Sequence, residues 1–169
     1  MKKFLELAKA RHSVRAFNSQ KIEQSKLNQI LEAGRVAPTA CNIQPQRIKV
    51  ITSQEELAMI DDCTGCRFGA PVVLLVCYDQ KVCWSRKYDG AKSGEVDASI
   101  VTTHMMLAAR DLGLGSCWVM HFDPVKLIAS FNIPDNLVPV AMLPIGYPEE
   151  YWEPARAHDE RKPIEEILF

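Results

Sequence analysis

Residues 70–78 read APVVLLVCY, an apolar run rich in β-branched side chains with no polar break. A strand with one wet face alternates apolar and polar residues. A run without that alternation is read as a strand covered on both faces. The chain must therefore build a sheet with material packed above and below it. Residues 137–147, LVPVAMLPIGY, supply a second strand. RIKVIT (47–52) alternates like a third, and SCWVMHF (116–122) is read as a fourth.

Helical signals lie between these strands. Phe4, Leu5, Leu7 and Ala8 give residues 2–10 an apolar face. Ile22, Leu27, Ile30, Leu31 and Val36 recur at helical spacing, which predicts a helix opening at Ser19 or Gln20 and stopped by Pro38. Residues 53–63 begin with a Ser cap and acids in the first turn. Residues 95–112 are apolar nearly all round, which predicts a central helix, with Gly113 as its left-handed stop. Asp123 and Pro124 open one more helix. Strands and helices alternate without a strict βαβ repeat, so the expected class is α+β.

The 169 residues, 47% hydrophobic and 24% charged, suit one domain spanning 1–169. With 20 basic and 21 acidic residues the net charge is −1, which argues against a nucleic-acid partner. No apolar run approaches the roughly 20 residues of a membrane span, so no membrane partner is expected. Glu6 and Lys9 interrupt the apolar start, which favours a helix over a signal peptide and a cytoplasmic location.

Cys63-Thr-Gly-Cys66 could be a redox pair or half a zinc site. A zinc site needs four ligands and no second pair follows, so no metal is expected and reduced thiols are the simpler reading. Residues 79–94 are polar and loop-like.

Three stretches carry chemistry. In RHSVRAF, Arg11 and Arg15 flank the hydroxyl of Ser13, a set suited to a phosphate monoester, because guanidinium binds phosphate oxygens through two bonds at once. The competing reading is surface arginines paired with carboxylates. Arg161 and Lys162 form a second basic patch far along the chain. In APTACNIQPQ, Asn42 and Gln44 are amides between prolines, able to read a flat heterocycle or simply to satisfy a turn. In GLGSCWVMHF, Gly113 and Gly115 follow a helix and lack a third glycine, so this is no dinucleotide fingerprint.

RHSVRAF, APTACNIQPQ, GLGSCW and LPIGYPEE, in that order and followed by a basic tail, resemble the motif series of the nitroreductase family of FMN-dependent flavoproteins. The resemblance spans essentially the whole chain. It implies a central, mostly antiparallel sheet flanked by helices and an intertwined homodimer with FMN at the subunit interface. By resemblance, Arg11 and Ser13 hold the FMN phosphate, with His12 beside them, and Arg161, with Lys162 as the weaker candidate, closes on the same group. Arg15 lies at the pyrimidine edge, where a guanidinium stabilises negative charge on the reduced ring. Pro38, Thr39, Ala40, Asn42 and Gln44 approach the flavin of the other subunit. Trp118, Val119, Met120 and His121 run beside the ring, and Gly146 lies close to the pocket. NADH or NADPH donates a hydride, and a nitroaromatic, quinone or other conjugated electrophile accepts the electrons in a ping-pong cycle. Chemistry of this kind needs no side-chain acid, so His104, in the middle of an apolar helix, is read as a packed or hydrogen-bonded core histidine.

Two departures bear on the substrate. Gln46 stands where the family has an aromatic, and the 79–94 loop stands in for a longer pocket cover. A relative with other chemistry, such as a dehalogenase, and a non-catalytic flavin-binding or sensing module are the alternatives.

Overall fold

The computed structural model describes residues 4–169. The predicted first helix is observed as α1 (Phe4–Ala10); residues 2 and 3 of that prediction lie outside the described residues. Then come α2 (Gln24–Arg35), β1 (Gln46–Ile51), α3 (Gln54–Cys63), β2 (Val72–Asp79), α4 (Gly94–Asp111), β3 (Gly115–Ser116), α5 (Pro124–Phe131) and β4 (Leu137–Gly146). The strands form one sheet in the order β1-β2-β4-β3, antiparallel at every pairing. The α+β expectation holds, and so does the reading of β2: all eight of its residues are buried.

β2 is dry on both faces because two apolar layers cover it. On one side Leu74 and Val76 meet Ile30 of α2 and Ala98, Val101 and Met105 of α4. On the other, Val73, Leu75 and Cys77 meet Leu57 and Ile60 of α3 and Leu127 of α5. Local chemistry sets the short helices. The Ser53 hydroxyl accepts from Glu56 N–H at 3.2 Å. The Asp123 carboxylate accepts from Val125 and Lys126 N–H at 3.0 Å each, with Pro124 opening the turn.

Two elements differ from expectation. α2 opens at Gln24, with Glu23 before it making no side-chain cap, so residues 19–23 lie outside the helix. The strand expected over 116–122 shrinks to Gly115–Ser116, with one further bridge from Val119 to Met142. Cys117 N–H still donates to Pro144 C=O at 3.2 Å, and the segment 13–17 lies along the far side of β3 and the chain just beyond β4. Ser13 bridges Ser116, Val14 N–H donates to Ser116 C=O at 3.0 Å, and Phe17 bridges Pro148.

α4 is not enclosed on all sides. Ala98, Val101, Met105 and Ala109 are buried, while Val96, Ser99, Ile100, Thr103 and His104 line an open groove of about 450 Å³. His104 Nδ1 lies 2.9 Å from Ile100 C=O, the hydrogen-bonded state expected of it, but at the groove rather than in the core. Among the described residues, no helix is long and apolar enough to cross a membrane.

Candidate functional site

The segment Arg11–Phe17 is pinned to the sheet edge. Val14 and Phe17 are buried together with Ala70, while Arg11, His12, Ser13 and Arg15 line a cavity. Gly115 makes the approach possible: a Cβ there would stand 2.6 Å from Val14 Cγ2. Gly146 does the same at the end of β4, where a Cβ would meet Pro71 Cδ at 2.8 Å and Phe17 Cδ1 at 2.9 Å. Gly146 thus packs behind the segment rather than lining the cavity in front of it.

That cavity, about 250 Å³, is lined by Arg11, His12, Ser13, Arg15, Ala155, Ala157, His158 and Arg161. Basic groups from both ends of the chain do meet here, and the lining contains no carboxylate. Burial and then the charge of Arg161 push the Arg11 guanidinium below its ordinary value. Two guanidiniums held together without an acid form a site for an anion. Among the described residues neither Arg11 nor Arg15 makes an ion pair or a side-chain hydrogen bond, which removes the salt-bridge alternative. Arg161 Nη1 donates to the carbonyls of Ala157 (3.3 Å) and Glu160 (2.8 Å). Lys162 instead lies 3.7 Å from Glu166 and outside the lining.

Sequence reasoning missed two basic neighbours. His158 meets His12 edge to face, ring centroids 5.7 Å apart, and its Nε2 donates to Lys9 C=O at 3.0 Å. Arg110, in the last turn of α4, reads in sequence as a helix-end cation. Its charge reaches His12, and its Nε is buried with no partner. His12 Nδ1 donates to Ala10 C=O at 3.1 Å, which leaves Nε2 as the ring's remaining polar atom. Burial lowers the His12 pKa, and Arg110, His158 and Arg11 lower it further against that carbonyl.

The amide loop lies elsewhere. Cys41, Asn42 and Gln44 have φ of 50°, 54° and 55°, left-handed values that cost non-glycine residues about 1 kcal/mol or more each. The loop closes on itself through Thr39: its C=O accepts from Asn42 N–H (2.9 Å) and its hydroxyl from Gln44 N–H (3.0 Å). It is tied to the first turn of α4, where Asp97 Oδ1 accepts from Ala40 N–H at 2.9 Å. Asp97 and Arg110 are 13 residues apart on one helix, roughly 20 Å at 1.5 Å per residue. The loop and the cationic cavity therefore sit at opposite ends of α4 and do not meet within one chain.

Trp118 packs half-buried against the α4 side of the core, Val119 is buried, and Met120 is 66% exposed. His121 turns the other way, into a separate hollow with Asp61, Asp62 and Asp123, and its C=O accepts from the Thr64 hydroxyl at 2.6 Å. Burial raises the Cys117 thiol while Arg15 and the Ser13 hydroxyl oppose it; burial likewise raises Cys63. All six cysteines are free. Among the described residues, no group of three or more His, Cys, Asp or Glu side chains could hold a metal.

The fold and the cavity define an α+β protein with a two-ended cationic site for an anion at its sheet edge. The sequence profile of the nitroreductase family matches residues 8–67 and 64–147, and the chain belongs to that family. A crystal structure of a nitroreductase family protein from Clostridium difficile 630 superposes with a TM-score of 0.93 at 40% identity, covering 99% of this chain and 98% of that one. A Methanothermobacter thermautotrophicus protein, provisionally named NADH dehydrogenase/NAD(P)H nitroreductase, is 30% identical over 93% of this chain and 86% of its own length. A Desulfovibrio desulfuricans protein crystallised in complex with FMN has a TM-score of 0.85 at 25% identity, covering 99% and 96% of the two chains.

Proposed function

We propose that this chain is an FMN-dependent oxidoreductase that draws reducing equivalents from NADH or NADPH and delivers them to a nitroaromatic, quinone or other conjugated acceptor. The observation that carries the reading is the cavity where Arg11 and Arg161 crowd together beside the Ser13 hydroxyl without a carboxylate. A phosphate monoester fits that donor set, since its oxygens accept from guanidinium and hydroxyl together. Arg11, Ser13 and Arg161 would hold the FMN phosphate, with His12 Nε2 beside them. FMN, when bound, supplies hydride acceptance and release at its ring. Arg15, exposed and unpaired among the described residues, would place positive charge at the pyrimidine edge. Trp118 and Val119 would flank the ring.

The second half of the site comes from a second copy. Pro38, Thr39, Ala40, Asn42 and Gln44 cannot reach their own chain's cationic cavity along α4 and would meet that of the partner. The open apolar face of α4, with Val96 60% exposed, and the exposed Ile164, Ile167 and Leu168 supply surface for such a homodimer.

The test is spectroscopic. The purified protein is expected to be yellow and to bleach on anaerobic addition of NADPH or NADH. Protein that stays colourless after incubation with FMN refutes the proposal. Protein that binds FMN but bleaches only over hours favours a sensing or storage module instead.

A further inference from the structure

Asp97 is an anomaly in its helix. It is 2% exposed, surrounded by the apolar residues that bury α4, and no cation pairs with it among the described residues. A buried carboxylate is retained only where its oxygens find donors. Asp97 has two beyond its own helix backbone. Oδ1 accepts from Ala40 N–H at 2.9 Å, across 57 residues of sequence, and Oδ2 accepts from the Ser93 hydroxyl at 2.7 Å.

Those bonds meet at a joint. Ser93 N–H donates to Trp84 C=O at 2.9 Å, at the foot of a small hairpin closed by the Ser85–Lys92 bridge. One carboxylate thus connects the start of α4, that hairpin and the loop 38–44. Every other hydrogen bond that Thr39–Gln44 makes among the described residues is internal or to the adjoining β1. Three left-handed non-glycine residues within four positions persist only when their surroundings hold them. Among the described residues, Asp97 supplies the distant hydrogen bond to this loop.

We infer that Asp97, braced by Ser93, is a positioning residue that fixes the 38–44 amide loop at the height from which it reads the neighbouring copy's ring and the substrate stacked there. This rests on the functional reading above. It separates the site into two independent parts, a phosphate grip at one end of α4 and a ring-facing loop set by Asp97 at the other.

The experiment compares Asp97→Ala, Asp97→Asn and Ser93→Ala with the wild type. In Asp97→Asn the carboxamide oxygen still accepts from Ala40 N–H, and its NH₂ donates to the Ser93 oxygen. The first readout is amide exchange at Ala40 in flavin-free protein. Losing a hydrogen bond to a charged acceptor is expected to speed it about tenfold or more in Asp97→Ala, with Asp97→Asn close to wild type. The second is kinetic, on the FMN-loaded dimer. Acceptor KM is expected to rise about tenfold in Asp97→Ala, a larger factor than the loss in FMN affinity, with recovery of both in Asp97→Asn. Ser93→Ala is expected to fall between the two. A folded Asp97→Ala with wild-type Ala40 exchange overturns the anchor. Faster exchange with unchanged KM overturns the positioning role. If Asp97→Ala does not fold, an Asp97→Asn as impaired in KM as Ser93→Ala refutes the proposal. Failure of the wild type to bind FMN condemns the functional reading while the exchange result still judges the anchor.

Discussion

Arg11→Ala should weaken FMN binding without harming the fold, because the guanidinium serves the cavity and nothing else. Its only hydrogen bond among the described residues is its backbone N–H to Leu7 C=O at 3.0 Å, which alanine keeps. No carboxylate pairs with it, and the strongest charge acting on it is the repulsive one of Arg161. Removing it relieves that repulsion in the flavin-free protein and loses a charge-assisted contact in the bound one. A hydrogen bond to a charged group contributes about 1.5–3 kcal/mol, which converts to a loss of roughly tenfold to 150-fold in affinity. The assay is a fluorescence titration of flavin-free protein with FMN and, in parallel, with riboflavin, which lacks the phosphate. The expected result is the full loss for FMN, at most about a twofold change for riboflavin, and a melting temperature equal to or above that of the wild type. Equal losses for the two flavins would place Arg11 at the ring or in the fold. A lowered melting temperature would show that the side chain holds protein rather than ligand. Either result refutes the reasoning.

Gly115→Ala should displace the Arg11–Phe17 segment, since its Cβ would lie 2.6 Å from Val14 Cγ2. A loss of about 1–3 kcal/mol in urea unfolding together with weakened FMN binding is expected, and wild-type values for both would contradict the pinned-edge account. His12 has its pKa lowered from the ordinary 6.5, first by burial and then by Arg110, His158 and Arg11. The unfolded chain therefore takes up that proton first, so stability is full above pH 6.5 and falls as pH drops below it. His12→Asn should flatten that decline in denaturant midpoints measured from pH 7 to 5, and an unchanged slope would assign it to other groups. Val96→Asp puts a charge on the open face of α4 and should shift the sedimentation mass from twice the 19.0 kDa chain mass to one chain. An unchanged dimer would move the interface elsewhere. Burial raises Cys77 to about 11, so a thiol reagent at pH 8 should leave Cys77 untouched until unfolding.

The parts of this fold that could be read from sequence are those where one physical signal dominates. β2 carries no polar residue until Asp79, and only a doubly covered strand tolerates that run. Asp123 and Pro124 act through their own local geometry and need no tertiary context. α2 illustrates the opposite case. Ser19 is a good capping residue, but the chain there is engaged elsewhere: Asn18 N–H donates to Tyr147 C=O, and the Asn18 side chain bonds Pro148 C=O and Gln20 N–H. A tertiary contact outbid a local preference. The stretch 116–122 fails for a related reason. Its composition suits a strand, and Cys117 and Val119 N–H still donate to β4, but past Val119 the backbone is engaged elsewhere: the Thr64 hydroxyl donates to His121 C=O, and Asp123 N–H to Cys63 C=O.

The same distinction divides the site. Arg11, Ser13 and Arg15 were legible because they stand within five residues of one another, so one short segment delivers its donors together wherever the fold places it. Arg161 could be placed beside them only by resemblance, because the chain's two ends meet through folding rather than spacing. Lys162, its neighbour, lies 3.7 Å from Glu166 instead, a partner that its place in sequence did not announce. Asp97 is the instructive miss. An acid in a first helical turn has a sufficient local explanation in the helix dipole, so nothing in the sequence asks for another. What distinguishes it is burial together with an N–H donor 57 residues away. The dipole would favour an exposed acid at the same position equally well, so it does not explain why this one is dry. The bond to Ala40 does. Side chains whose local role is already satisfied are therefore where sequence reading is most apt to stop short, and where the folded chain adds a second role.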